Sequence, residues 1–337
     1  MSRAFGIIHK AGAFEITRTL SPHSLTVLAY HRITYHDLPT FDTFRPNVSA
    51  TPEGFAAQLD YISTRYNVIA VDDLLAWLRE ERDLPPHPLL ITFDDGYYDN
   101  YEHARPILQA RGMPAVVFLA TNHIGSSEPF YWDLVAYCFH HTPQMEAYLP
   151  NAGRRSWRSA REREAVMRGW IGSLKALPDR KKWTAVRALP EALGVSVPEG
   201  AFSGLHMSWD NVREMVAAGI DMGAHTQTHP ILTRISREQA SVEIAGSRKR
   251  IEDEIGQPVT TFAYPNGLTG DFNRELEAML RTLGFEAAFT LQPGPARPRE
   301  VLRRPMAIRR ILINHRDTLS RFAAKLAGLP RAVQAFS

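Results

Sequence analysis

Leu89-Leu90-Ile91-Thr92-Phe93-Asp94-Asp95-Gly96 is a short apolar, partly β-branched run that stops abruptly at two carboxylates and a glycine. Its length and composition suit a buried strand of a parallel sheet, and parallel α/β folds place their reactive side chains just past such strand ends. Adjacent side chains on an extended chain diverge, so one aspartate can hold a metal while the other faces a reacting water. The same pair can equally cap the following helix.

Similar runs recur on either side. Leu25–Tyr30, Val68–Ala70, Ala115–Leu119, Ile220–Ala224, Thr261–Tyr264 and Glu286–Thr290 bring the expected strands to seven. Helical patterns separate them. Thr51 before Pro52 reads as an N-cap and first-turn pair, with Phe55, Leu59 and Ile62 on one face. Further helices are expected over 71–82, 100–111, 209–218, 236–255 and 273–283. This alternation predicts an α/β fold built from βα units. The rhythm breaks between about His123 and Leu205, where an Arg-rich helical pattern replaces strands. Pro293, Pro295 and Pro298 mark another boundary. The expected organisation is 1–122 and 206–292 as two parts of one catalytic domain, 123–205 as a helical insertion, and 293–337 as a basic C-terminal extension.

Three more strand ends carry polar groups. Ile220–Ala224 leads into His225-Thr226-Gln227-Thr228-His229, two histidines four apart. If the chain turns there, both imidazoles and Asp95 supply three nitrogen or oxygen ligands and leave a fourth position for water, the arrangement of a catalytic zinc site. Val27–Tyr30 ends at His31, which would serve as well as a structural hydrogen-bonding group. Thr261–Tyr264 ends in Pro265-Asn266-Gly267, a common loop device that can also aim backbone N–H groups at a developing oxyanion. Phe130-Tyr131-Trp132-Asp133 in the insertion could stack on a sugar, but packing onto the main domain is the simpler role. Trp209 reads as core.

The chain has 337 residues and a mass of 38.0 kDa, with 44% hydrophobic and 22% charged residues, which excludes disorder and fibrous structure. The single Cys138 excludes an internal disulfide and a thiolate zinc site. Met1–Ser21 lacks the long apolar core of a secretory signal, so a cytoplasmic location is expected. Charge is uneven: residues 151–194 hold eleven Lys or Arg against four Asp or Glu, and residues 293–337 hold ten against two. No nucleic-acid-binding motif accompanies these blocks, so nucleic acid is not expected as a partner. The interleaved Arg, Ile, Leu and Phe of the tail would suit contact with the inner face of a membrane or a lipid-linked carrier.

Taken together, Thr92–Gly96 and His225-Thr226-x-x-His229 resemble the first two motifs of the polysaccharide deacetylase family, also called the NodB homology domain or carbohydrate esterase family 4. The resemblance implies a distorted (β/α)7 barrel and a metal-dependent hydrolase that removes N-acetyl groups from a polysaccharide or carrier-linked glycan. It also implies Asp94 as general base and a divalent ion, usually zinc, on Asp95, His225 and His229. The third family motif departs: Ala263 stands in the place of its arginine and Asn266 in that of its tyrosine. The arginine orients the catalytic aspartate in the family, and Arg303, Arg304, Arg309 and Arg310 are the available substitutes. The Asn266 backbone N–H remains a candidate for the oxyanion. Leu28-Ala29-Tyr30-His31 resembles the biofilm-exopolysaccharide deacetylases, whose acid histidine comes first in the chain, which favours His31 over His315 as the acid. Two other readings keep these residues: an O-acetyl esterase or sugar deformylase, and a noncatalytic carbohydrate-binding relative.

Overall fold

The computed structural model describes residues 22–328; the expectation resting on Met1–Ser21 lies outside them. Twelve strands are present among the described residues. β1 (Thr26–Tyr30), β4 (Asn67–Val68), β5 (Pro88–Asp95), β6 (Ala115–Leu119), β9 (Ile220–Ala224), β10 (Thr261–Ala263), β11 (Ala287–Phe289) and β12 (Ile311–Leu312) form one sheet in the order β11-β10-β9-β6-β5-β1-β12. Every pair in it is parallel. β4 sits beside the start of β5, on the edge that β6 continues.

The sheet curls into a ring that the segment 308–312 completes. Ile308 N–H donates to Ala288 O and Ile308 O accepts from Thr290 N–H on one side, while Ile311 and Leu312 pair with Leu28 and Ala29 on the other. The seventh position of the barrel is thus a two-residue strand at 311–312, and β4 stands off the main path. Residues 293–328, which composition sets apart as an appended basic tail, are structural members of the barrel. Several of their arginines meet carboxylates within the chain, among them Arg304 with Glu277, Arg309 with Glu300, and Arg310 with Asp94.

Helices α1 (Pro52–Ser63), α2 (Val71–Leu78) and α3 (Arg105–Gln109) follow the early strands, the last preceded by a π-helical turn over Asn100–Ala104. Thr51 caps α1 by accepting from Gly54 N–H, as its sequence position suggests. Between β6 and β9, α4 (Tyr131–His141), α5 (Ala160–Leu174), α6 (Asp179–Arg187) and α7 (Leu189–Leu193) gather around a hydrophobic cluster that includes Phe139, Trp157, Trp170 and Leu189. An antiparallel hairpin, β7 (Glu146–Leu149) with β8 (Gly153–Ser156), joins them, so this segment is not purely helical. The remaining strands are β2 (Arg32–Ile33) and β3 (Val48–Ala50), paired with each other. α8 (Trp209–Ala217) precedes β9, and α9 (Arg237–Ile255), α10 (Arg274–Thr282), α11 (Pro298–Arg303) and α12 (Leu319–Leu326) complete the outer layer. No helix among the described residues is long and apolar enough to cross a membrane.

The central strands are buried on both faces. Gly223 in β9 lies against the Phe118 ring, and any β-carbon there would collide with it. This layering leaves the C-terminal strand ends as the polar mouth of the barrel.

Candidate functional site

The mouth is built from residues that follow four strands. Of seven non-glycine residues with left-handed φ among those described, four lie here: Asp95 (+80°), Thr226 (+67°), His229 (+57°) and Asn266 (+62°). Such conformations persist only where their surroundings fix them. Thr226 Oγ1 accepts from His229 N–H at 3.0 Å, and Glu243 from α9 takes Gln227 N–H, Thr228 N–H and the Thr228 hydroxyl at 2.8, 2.9 and 2.6 Å. Glu243, sixteen residues downstream and without a local motif, is the brace of the histidine loop.

That brace brings His225 Nε2 to 3.6 Å and His229 Nε2 to 3.4 Å from Asp95 Oδ1. Donors bound tetrahedrally at about 2.1 Å from one ion sit about 3.4 Å apart, so the spacing matches. His225 Nδ1 lies 2.7 Å from Ala263 O, which makes it the protonated nitrogen and leaves the Nε2 lone pair toward Asp95. Both Asp95 carboxylate oxygens are buried with no hydrogen-bond partner among the described residues. Burial, then the charges of Asp94 and Asp133, push this carboxyl well above the usual range. A buried acceptor without a donor, facing two imidazole lone pairs, is the donor set of a small divalent cation.

Asp94, the neighbouring carboxylate, has a different environment. Arg310 donates to both of its oxygens at 2.7 Å, and further to Thr92 Oγ1 at 3.0 Å and Thr290 O at 3.2 Å. Arg310 is completely buried, wedged between the two pairing points of the 308–312 segment. Burial would raise the Asp94 carboxyl, but the charge of Arg310, then that of His225 and the Arg310 hydrogen bonds, outweigh it and hold it at about 2. Of the four arginines singled out above, Arg310 alone reaches Asp94; Arg304 and Arg309 are committed to Glu277 and Glu300.

His31 Nε2 stands 4.0 Å from Asp94 Oδ2. Its backbone is fixed by Ser49, whose Oγ accepts His31 N–H, and by Asn100, which donates to His31 O. Burial depresses this imidazole to about 4 despite the nearby Asp94, so it is neutral at pH 7. His315 packs against the His36 ring instead, at 4.6 Å and tilted by 54°, and does not line the pocket. Asn266 does line it, and its backbone N–H donates to no described residue.

Tyr131, Trp132, Ile171 and Lys175 of the inserted segment also line the pocket. Trp132 meets the His229 ring edge-on at 4.9 Å, and its Nε1 donates to Tyr97 Oη, which donates to the buried Asp133. Phe44 N–H donates to the other Asp133 oxygen at 2.9 Å. Lys175, just past α5, donates to Asn266 Oδ1 at 2.7 Å, and Asn266 Nδ2 donates to Asp271, so the side chain of the loop residue is clamped at both ends. Lys175 has no carboxylate in ion-pair range among the described residues. Burial lowers its ammonium. The space enclosed by His31, Asp94, Asp95, His225, His229 and Asn266 below, and by Trp132, Ile171 and Lys175 above, is about 190 Å³.

Comparison with known proteins identifies the family and the fold. The polysaccharide deacetylase family model matches residues 81–288. The poly-beta-1,6-N-acetyl-D-glucosamine N-deacetylase of Staphylococcus epidermidis is 30% identical over 139 residues, which is 38% of this chain and 47% of that protein. Among solved structures, the deacetylase PplD of Streptococcus pyogenes, in complex with acetate, superposes with a TM-score of 0.60 at 16% identity over 91% of this chain and 99% of that one. IcaB from Ammonifex degensii gives 0.58 at 22% identity, again over 91% and 99%.

Proposed function

The chain belongs to the polysaccharide deacetylase family, hydrolases of N-acetyl groups, and from that premise we propose that it is a divalent-metal-dependent N-deacetylase of an acetylated glycan. The observation that carries the reading is the contrast between two adjacent carboxylates. Asp95 is buried and unpartnered opposite two imidazoles, and Asp94 is buried and held ionised by Arg310. Asp95, His225 and His229 would hold the ion, with zinc the best match to this donor set. Such an ion supplies Lewis acidity toward the acetyl carbonyl and toward water.

The chain's own groups then divide the proton work. Water adds to the acetamide carbon, forming the new C–O bond, and Asp94 accepts its proton. Arg310 fixes the Asp94 carboxylate by donating to both of its oxygens and prevents the carboxyl from starting the cycle protonated. The Asn266 N–H is placed to donate to the oxyanion, a contribution of about 3 kcal/mol per donor in other hydrolases. Cleavage of the C–N bond requires a proton on the leaving amine, and His31 is placed to deliver it. Because His31 is neutral at pH 7, that proton is collected within the same turnover, from the one Asp94 has taken up 4.0 Å away. Acetate and a free amino sugar are the products.

Elemental analysis of wild type beside His225→Ala, coupled to acetate release from N- and O-acetylated glycans, tests the proposal. We expect about one divalent ion per chain, lost in the variant, with acetate released from the N-acetylated substrate. A wild type that takes up no ion when zinc is supplied would overturn it. Release from O-acetyl groups alone would make the protein an esterase.

A further inference from the structure

A second cavity, of about 560 Å³, opens beside the catalytic pocket. Arg45, Arg161, Arg163, Arg168 and Arg316 line it with His140, and Glu164 is its one carboxylate. Glu164 is engaged with Arg168 at 3.7 Å. The other four guanidinium groups have no carboxylate in ion-pair range among the described residues. The surplus of positive charge is felt by neighbouring groups: burial and then Arg163 depress His140, and burial, His36 and then Arg316 depress His315 to about 4. Arg304, Arg309 and Arg310, by contrast, are each held by a carboxylate.

The cavity and the catalytic pocket are lined by neighbouring residues of two shared elements. In the segment 44–47, Phe44, Pro46 and Asn47 face the catalytic pocket and Arg45 faces the basic one. Along α5, Arg161–Arg168 line the basic cavity, and Ile171 with the following Lys175 line the catalytic one. At 1.5 Å per residue, Arg163 and Lys175 are about 18 Å apart along the helix axis, a span of a few sugar units. One ligand a few sugar units long would reach from the arginines to the catalytic pocket.

We infer that this arginine cavity binds the diphosphate of a glycosyl diphosphate whose acetylated sugar occupies the catalytic pocket; the inference rests on the deacetylase reading. Four unpaired guanidinium groups match a group carrying several negative charges better than a single carboxylate, and arginine forks donate in pairs to phosphoryl oxygens. A neutral acetylated polymer gives the cavity nothing to neutralise.

The test has three arms. In the first, inorganic pyrophosphate is titrated calorimetrically into wild type and into the Arg161→Gln/Arg163→Gln double variant, with Arg316→Gln as a variant on a separate element. We expect saturable binding that weakens at least about tenfold in the double variant and falls with salt. Absence of pyrophosphate binding to wild type overturns the inference without needing any variant. In the second, kcat/KM for acetate release is compared between a neutral N-acetylated oligosaccharide and the same sugar carrying an anomeric diphosphate. The diphosphate should raise it about tenfold in wild type and not in the double variant, with activity on the neutral substrate unchanged; an equal advantage in both proteins overturns the inference. In the third, vesicles of neutral and of anionic phospholipid, free of glycan, are sedimented with the protein. Arginine-dependent binding to anionic vesicles as strong as that to pyrophosphate would make a membrane surface the occupant and overturn it. Pyrophosphate binding without acetate release from any acetylated sugar would count against the deacetylase reading and not against the cavity.

Discussion

Arg310→Met should damage the protein in two measurable ways. The side chain is fully buried and makes four hydrogen bonds, two of them the fork on Asp94 at 2.7 Å. Methionine keeps much of the aliphatic stem but removes the guanidinium that lies over the Phe118 ring and leaves Asp94 buried without its counter-ion. Removing one partner of a buried pair costs about 3–5 kcal/mol, because the stranded charge is no longer compensated. The sign follows from the native carboxyl. It is held at about 2, so the pair's contribution is complete above the unfolded value near 4 and disappears as pH falls through about 2. In Arg310→Met burial dominates, the carboxyl moves up, and the native state recovers part of the loss by taking a proton. Urea unfolding at pH 7 measures the stability change, and Arg310→Met/Asp94→Asn identifies its origin. Replacing the stranded carboxylate should restore at least about 1 kcal/mol relative to Arg310→Met. The acid limb of the kcat/KM profile should also move to higher pH in Arg310→Met, which a merely structural residue would not cause. Stability within about 1 kcal/mol of wild type, or an unmoved acid limb, would refute the role assigned to Arg310.

Asp94→Asn should retain the ion seen by elemental analysis and lose about 10²- to 10⁴-fold in kcat, because the proton acceptor is removed while the ligands remain; near-normal turnover would contradict the assignment. Lys175→Met should lower kcat/KM about tenfold at unchanged ion content, since Asn266 would lose one of the two clamps on its side chain; unchanged kinetics would show that Asp271 holds the loop alone. Asp221 in β9 is raised to about 6 by burial, with Asp72 adding to it, so the native state keeps a proton that the unfolded chain releases near pH 4. Stability therefore falls as pH rises between about 4 and 6, and Asp221→Asn should gain about 1 kcal/mol at pH 7 and nothing at pH 3.5. Thermal melts at the two pH values check this, and an equal effect at both would exclude ionisation as the cause.

The fold was readable in the sequence wherever burial imposed a pattern. β6 begins and ends at the expected residues because a doubly buried strand must be continuously apolar, and β9 does so although Asp221 interrupts its apolar run. The caps Thr51, Ser236 and Asn273 announce α1, α9 and α10 through local chemistry. Ile311–Leu312 carries no such pattern, since two residues cannot display a period. Its place depends on β1, far away in the chain. Arg310 is equally silent: four arginines stand in similar local surroundings, and only the closure of the ring, 216 residues from Asp94, selects one. The β7–β8 hairpin was hidden by its exposed Glu146, Tyr148, Arg154 and Arg155, which leave little apolar alternation to detect. His31, Asp94, Asp95, His225, His229 and Asn266 could be named because each follows an apolar strand. Glu243 and Lys175 could not, because each acts from a helix or its end on a loop distant in sequence.

The closure of the barrel by Ile311 and Leu312 also has a consequence in time. During synthesis the Asp94-Asp95 pair and both metal-site histidines leave the ribosome well before Arg310 does. Until residues 308–312 dock, Asp94 has no counter-ion and the first strand presents an open edge. A chain interrupted between residues 229 and 310 would thus contain all three proposed metal ligands and still lack the charge that holds Asp94 ionised. On the proposed mechanism, catalytic competence would be tied to the segment that closes the barrel, and a nascent or truncated product lacking it would be inactive even if it captured an ion.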